Sequence, residues 1–274
     1  MKNNYFWKIV EKFNRLMSKC VKGPDCTDQS ICHGDCCSIK IDVPKVLARE
    51  YIKEGYATKS DFIRSNIFSF HLRFDEKTGK CFLFDKKING CSVHKSGIKP
   101  PQCWIYPTNF SNPKGKRISC KSALGWKIID QEKANKAERL LEKYVFLCKL
   151  EARTSRKNLL KRLRKNKKEL IRKLKESPPS KLGGLRDGWD HFEPLSAQGI
   201  SLQLKTFCKS RHKNCHYLED AGFLNCPGIC EEIATELFQF VEHHIDDYVE
   251  AEGIPVNGHY PFIHIFNFVR EKNT

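Results

Sequence analysis

The sequence predicts an α+β, helix-rich fold: an irregular, metal-stabilised cysteine domain, then a long basic helix, then a small helical C-terminal domain. Three observations predict it. Fourteen of the 274 residues are cysteine, and most of them crowd into the first half. The segment 131–176 contains no Pro or Gly and spaces its leucines as a helix does. Charge is also divided, basic in the front and middle and acidic at the end. The expected units are therefore 1–130, 131–176 and 177–274.

The length suits one large or two small domains with a real core. Hydrophobic residues make up 40% and charged residues 30%, so the chain reads as globular rather than disordered. In the first twenty residues, charged side chains interrupt every apolar run, which leaves no signal-peptide core. No stretch approaches the ~20 apolar residues of a membrane span. The expected location is the cytoplasm, where disulfides are rare and clustered cysteines serve as metal ligands or reactive thiols.

The first helix is predicted over 5–17, where Tyr5, Phe6, Ile9, Val10, Phe13, Leu16 and Met17 form an apolar stripe. Docking on a core is favoured over binding to a membrane surface, although amphipathicity suits both. Residues 20–42 are cysteine-rich and irregular. Pro44 opens a second helix with Val46, Leu47, Tyr51 and Ile52 inward. Residues 58–68 read as another short helix. Residues 70–74 and 80–84 alternate as strands about a turn at 75–79. The Gly- and Pro-rich segment 86–116 reads as loop, and 117–129 as containing a strand. The segment 131–176 forms one long helix, or two with a break near Thr154, ended by Ser177-Pro178. A Gly-rich stretch, 183–199, follows. The clearest tail helix begins after Cys226-Pro227-Gly228, carries Ile229, Ile233, Leu237, Phe240, Val241, His244, Ile245 and Tyr248 on one face, and stops at Gly253. No internal repeat of fixed period is apparent.

Eight cysteines form the candidate metal-ligand set: Cys26, Cys32, Cys36 and Cys37, then Cys81, Cys91, Cys103 and Cys120. The 43-residue gap between the two groups points to a site assembled from distant loops. Zinc and iron–sulfur clusters take thiolates, typically four per centre, so eight suffice for two sites or for one with spare residues. Buried free cysteines acting as small hydrophobes are the alternative. No Cys-x-x-Cys is present, and neither are a P-loop, a dinucleotide fingerprint or a nucleophile elbow.

These residues resemble the cysteine-cluster family of zinc- or iron-chelating proteins, the YkgJ-type or CxxCxxCC proteins. The first block ends in the pair Cys36-Cys37. The second contains Cys81-Phe82-Leu83, Cys91-Ser92-Val93, the basic–Pro–x–x–Cys motif Lys99-Pro100-Pro101-Gln102-Cys103, and Tyr106-Pro107. Cys120 is similar to the last family cysteine. The resemblance covers about 26–120. Its first block is spaced more widely than usual, Lys99 stands where arginine is usual, and about two extra residues separate Cys91 from Pro100. The resemblance implies metal chelation. Some family members are labelled iron–sulfur oxidoreductases, and relatives occur in flagellin lysine methylases.

The tail holds a second concentration of donors: Cys208, His212, Cys215, His216, Cys226 and Cys230. Metal binding, ordinary packing and completion of the front centre all stay open for it. His243-His244 face different sides of a helix and make a poor chelating pair. The net charge of +17 is unevenly spread: residues 1–148 hold 28 Lys/Arg against 15 Asp/Glu, 149–176 hold 13 against 3, and 177–274 hold 8 against 14. The basic run lacks aromatics for base stacking, so pairing with the acidic tail is favoured over a nucleic-acid partner. The functional expectation is a metal-binding protein carrying an iron–sulfur cluster or zinc, with redox activity as one expected use of the centre. A metal-dependent protein-modifying enzyme or oxidoreductase, and a zinc-stabilised nucleic-acid-binding module, are the alternatives.

Overall fold

A computed structural model describes residues 3–25, 27–108, 126–197 and 202–272. The chain divides into two compact units, Met1–Arg153 and Thr154–Thr274. Helices with several small antiparallel sheets make up both, as the α+β, helix-rich expectation required. Among the described residues, no helix is long and apolar enough to cross a membrane.

The first unit opens with α1 (Asn3–Cys20), which buries Phe6, Ile9, Val10, Phe13 and Met17, the stripe read from its spacing. A short strand, β1 (Val21–Lys22), continues from it. Then come β2 (Asp42–Val43), α2 (Lys45–Lys53), β3 (Phe62–Arg64), β4 (Phe70–Leu72), β5 (Phe74–Asp75), β6 (Lys80–Cys81), β7 (Phe84–Asp85), β8 (Gly90–Cys91), α3 (Gln102–Thr108) and β9 (Lys127–Ile128). α4 (Gln131–Lys157) runs through the division between units. β1 pairs with β9, joining Val21 to Ile128 and so closing the neck of the intervening cysteine-rich segment. Phe13, Met17, Cys20, Trp104, Ala134 and Ala137 pack together beneath it.

Two expectations for this unit are corrected. Residues 58–68 are not a helix: only a 3-10 turn, Lys59–Asp61, forms there. Thr58 and Asp61 make a reciprocal capping box, but Phe62-Ile63-Arg64 then alternate buried and half-buried and pair with β4. The segment 86–116 is not all loop, since it contains β8 and α3; its residues 109–116 lie outside the described residues. α2 begins after Pro44 as expected. Its free N–H groups at Lys45 and Val46 are taken by the carboxylate of Glu151, at 2.5 and 3.3 Å.

In the second unit, α5 (Leu159–Lys165) and α6 (Lys167–Lys175) follow α4, with breaks at Asn158 and Asn166. The basic region is thus three helices rather than one or two. Leu159, Leu163, Leu170 and Leu174 enter a core with Leu185, Phe192, Ile233, Leu237 and Ile245. The Gly-rich stretch contains a hairpin, β10 (Leu182–Asp187) with β11 (Phe192–Ser196), so the tail is not purely helical. α7 (Leu202–Arg211), α8 (Gly222–Asn225) and α9 (Glu231–Glu252) come next; α9 ends at Gly253 with φ +80°. β12 (His259–Pro261) completes the sheet on β10, and α10 (Phe262–Lys272) ends the unit. Within this unit the basic helices pair with acidic partners: Arg162 with Asp187 at 2.7 Å, Arg164 with Glu242 at 2.7 Å and Lys175 with Glu231 at 2.8 Å.

Candidate metal centre

Six of the eight expected ligands are described, and all six line one cleft of about 920 Å³ in the first unit: Cys32, Cys36, Cys37, Cys81, Cys91 and Cys103. Cys26 and Cys120 lie outside the described residues. Two further cysteines take no part. Cys20 and Cys148 are fully buried, the first packed on Met17 and the second one helical turn after Tyr144.

Local chain chemistry places each thiol. Gly34 is left-handed at φ +72°, and a Cβ there would stand 2.4 Å from the Phe84 ring. Glycine alone meets both demands. It turns the chain into a 3-10 turn, Asp35–Ser38, which carries Cys36 and Cys37. The Gly34 N–H donates to the Cys32 sulfur at 3.3 Å. Cys81 and Cys91 end two successive hairpins of the same design. Phe74 pairs with Cys81, and ten residues later Phe84 pairs with Cys91. Each turn contains a positive-φ residue at the same place, Gly79 and Asn89. Backbone hydrogen bonds from Leu83 and Val93, each two residues on, favour the thiolates of Cys81 and Cys91. Asn89 Nδ2 donates to the Cys32 carbonyl at 2.8 Å, tying the second hairpin to the first cysteine loop.

The sequences of the two hairpins, FDEKTGKC and FDKKINGC, are a ten-residue repeat. The absence of any repeat, expected above, is thereby corrected. Matching phenylalanine, aspartate, lysine and cysteine positions were the signal that could have found it. A repeat of two copies is too short for a periodicity search tuned to longer arrays.

Cys103 comes from the first turn of α3, and its N–H donates to Pro100 O at 2.9 Å. Beside it stands Lys99, which is buried although it is a lysine. Its ammonium lies 3.9 Å from the centre of the Trp104 ring and 3.2 Å from His94 Nδ1. Trp104 Nε1 donates to Asn14 Oδ1 at 2.9 Å, and Asn14 Nδ2 returns to Lys99 O at 3.1 Å. The ammonium is thereby held against the thiols.

Burial pushes Cys81 up to about 12 and raises Cys91 and Cys103 as well. Lys99 opposes that rise at Cys91 and Cys103. At Cys36 the balance is reversed. A hydrogen bond from Cys37, then the positive charges of Lys99 and Lys80, hold its thiol below the ordinary value, while Cys37 is raised by the same hydrogen bond. One thiol of the pair is thus the first to ionise. A bound cation would deprotonate the others, since a coordinating thiol loses its proton outright. Among the described residues no three donors already stand in ligating geometry, so the thiols are gathered along the cleft without being drawn to one point.

The arrangement has a counterpart among known proteins. The model of the CxxCxxCC family, described as "Putative zinc- or iron-chelating domain", matches residues 25–138. No curated protein and no solved structure matches the chain. The CxxCxxCC domain begins just after β1 and ends in the early turns of α4, so it includes every cysteine of the cleft and both strands of its hairpins. The second unit lies outside the matched residues.

Proposed function

We propose that the CxxCxxCC domain binds a metal centre, an iron–sulfur cluster or zinc, through thiolates of its cleft. The donors are drawn from Cys26, Cys32, Cys36, Cys37, Cys81, Cys91, Cys103 and Cys120. The observation that supports this reading is the gathering of six thiols along one cleft from four separate chain segments. Their chemistry fits the group: soft sulfur donors suit zinc and iron–sulfur centres. Hydrogen bonds to sulfur and a buried ammonium offset the charge that four thiolates would bring. The segment also needs such a centre. Between Val21 and Ile41 the described side chains contribute nothing to the apolar core. A bound metal would supply the ordering that packing does not.

Lys99 takes the role of charge balance in this reading, and Cys36 that of the first thiolate to engage a cation. If the centre is an iron–sulfur cluster, exposure of Cys36 at the cleft leaves it accessible for electron exchange. Anaerobic purification of the full chain, with metal analysis and a visible spectrum, tests the proposal. Sulfide-linked iron with broad visible absorption identifies a cluster. Zinc in a colourless protein identifies the other centre. A chain that retains neither after loading with either metal refutes the proposal.

A further inference from the structure

The second unit contains four cysteines that the CxxCxxCC domain does not reach. They lie at the ends of different elements. Cys208 is in the last turn of α7, and Cys215 precedes the 3-10 turn His216–Leu218. Cys226 closes α8, and Cys230 is the N-cap of α9. These ends meet. α8 and α7 both pack on the 3-10 turn. Arg211 at the end of α7 pairs with Glu236 of α9 at 3.0 Å, and His212 lies 3.9 Å from Glu232 in the first turn of α9. Each of the other three thiols is near enough to act electrostatically on Cys208.

The chain between these cysteines has little else to hold it. From Lys209 to Gly228 the only buried side chain is Phe223. The elements there are three and four residues long, far below the ~12–15 residues at which a helix is even marginal alone. Yet the path is tightly fixed at one end. A Cβ on Gly228 would stand 2.0 Å from the Lys175 carbonyl oxygen, so the loop 226–230 is seated on the end of α6 with no room for a side chain. The Cys226 thiol hydrogen-bonds the Gly228 backbone two residues on, at 3.2 Å. In the front cleft Cys32 also contacts a glycine two residues on, but there the sulfur accepts from the Gly34 N–H, whereas the Cys226 thiol donates to the Gly228 carbonyl.

We propose that Cys208, Cys215, Cys226 and Cys230 form a second metal site, a closed four-thiolate zinc centre that orders the segment 209–230. Four thiolates satisfy zinc's tetrahedral preference and leave no open position, which makes the site structural rather than catalytic. The thiols are grouped but stand short of ligating geometry among the described residues, as expected where metal binding completes the local fold. This site is independent of the front centre: all four donors fall within 23 residues of one compact unit.

The test uses the full chain and three variants: Cys36→Ser/Cys37→Ser, Cys230→Ser, and the two combined. Zinc and cobalt(II) are the probes. Cys230→Ser discriminates well because serine is among the best N-caps. If Cys230 only caps α9, the substitution leaves metal content and stability unchanged or improved. If it is a ligand, zinc affinity at one site falls by at least about tenfold, and protease cleavage within 209–228 increases. The cobalt(II) spectrum should also lose its tetrathiolate bands in the combined variant while Cys36→Ser/Cys37→Ser alone keeps them. Equal zinc affinity and stoichiometry with and without Cys230→Ser, in both backgrounds, overturns the proposal. So does iron–sulfur absorption that disappears with Cys230→Ser, because the centre would then not be zinc.

Discussion

The two cysteine groups occupy opposite structural situations. The cleft thiols of the first unit are carried by turns and two-residue strands between Cys32 and Cys103, and the segment leading into them has no apolar anchor of its own. The second-unit thiols sit within 23 residues at the rim of a finished core, where Leu163, Leu170, Leu174, Leu237 and Val241 are all fully buried. Removing metal from the first would take away what joins distant loops. Removing it from the second would free one loop and spare the helices. Sequence span, more than the number of thiolates, sets how much of a fold a metal holds together, because the entropy of closing a long loop is recovered only where the ligands are far apart in the chain.

The largest effect that could break this contrast comes from Cys36→Ser/Cys37→Ser. Structural zinc sites are worth about 10–16 kcal/mol in small peptides at neutral pH, far more than one packing contact. Front metal should be lost, and limited proteolysis should open 27–40 and the hairpins of 74–91 while the second unit stays resistant. Metal analysis per chain together with mapping of the cut sites reads both. Unchanged metal content would remove the cleft from the ligand set.

Smaller, and sharper as a comparison, are Gly34→Ala and Gly228→Ala. Each glycine follows a cysteine by two residues and bonds its sulfur through the backbone. At Gly34 a side chain must accept a left-handed φ and displace a ring, which can move; at Gly228 it meets a backbone carbonyl, which cannot. Both should cost about 1–3 kcal/mol. Gly34→Ala should weaken only front metal binding, and Gly228→Ala should loosen only 209–230. Hydrogen exchange resolves the two regions, and protection lost in both regions from one substitution would show that they are coupled.

Helices were the most legible part of this chain. α1, α2 and α9 begin and end close to where apolar spacing, Pro44 and Gly253 place them, because each buries one face over two or more turns. The tail sheet was not legible. Leu182-Gly183-Gly184-Leu185 opens the Gly-rich stretch, where no strand is expected, but Gly184 is glycine because Tyr260 O would stand 2.3 Å from a Cβ there, a contact made by a strand seventy-odd residues later. The six described cysteines that line the cleft were singled out by residue type, spacing and the family resemblance. Lys99 was visible only as a departure from the usual arginine. Its burial over Trp104 depends on Asn14, 85 residues earlier, which no local pattern encodes.

Lys99→Met measures the electrostatic half of the front site. Lys99 favours the thiolate at Cys36, Cys91 and Cys103, so its loss raises all three thiols. Metal binding requires thiolate, so loading should need higher pH, and the acid release of metal should begin at a higher pH than in the parent chain. At neutral pH the affinity of the front centre should fall about 10–100-fold, the usual effect of removing an outer partner. Metal titrations from pH 5 to 9 would show it, and the second-unit centre should be indifferent. A front centre equally indifferent would reduce Lys99 to a packing residue.

The smallest effect concerns a cysteine assigned to neither group. Cys148 lies on α4 one turn after Tyr144 and is fully buried, and that burial holds its thiol well above the ordinary range. A thiol kept neutral in an apolar setting packs as a small hydrophobe. Cys148→Ala removes one sulfur from that setting and should cost about 1 kcal/mol through lost contacts. It should leave metal stoichiometry unchanged, because the sulfur lines no part of the cleft. Denaturant unfolding beside metal analysis separates the two readouts. A drop in bound metal would place Cys148 among the front ligands. The division drawn here between packing and ligating cysteines would then fail at the residue where burial argues for it most strongly.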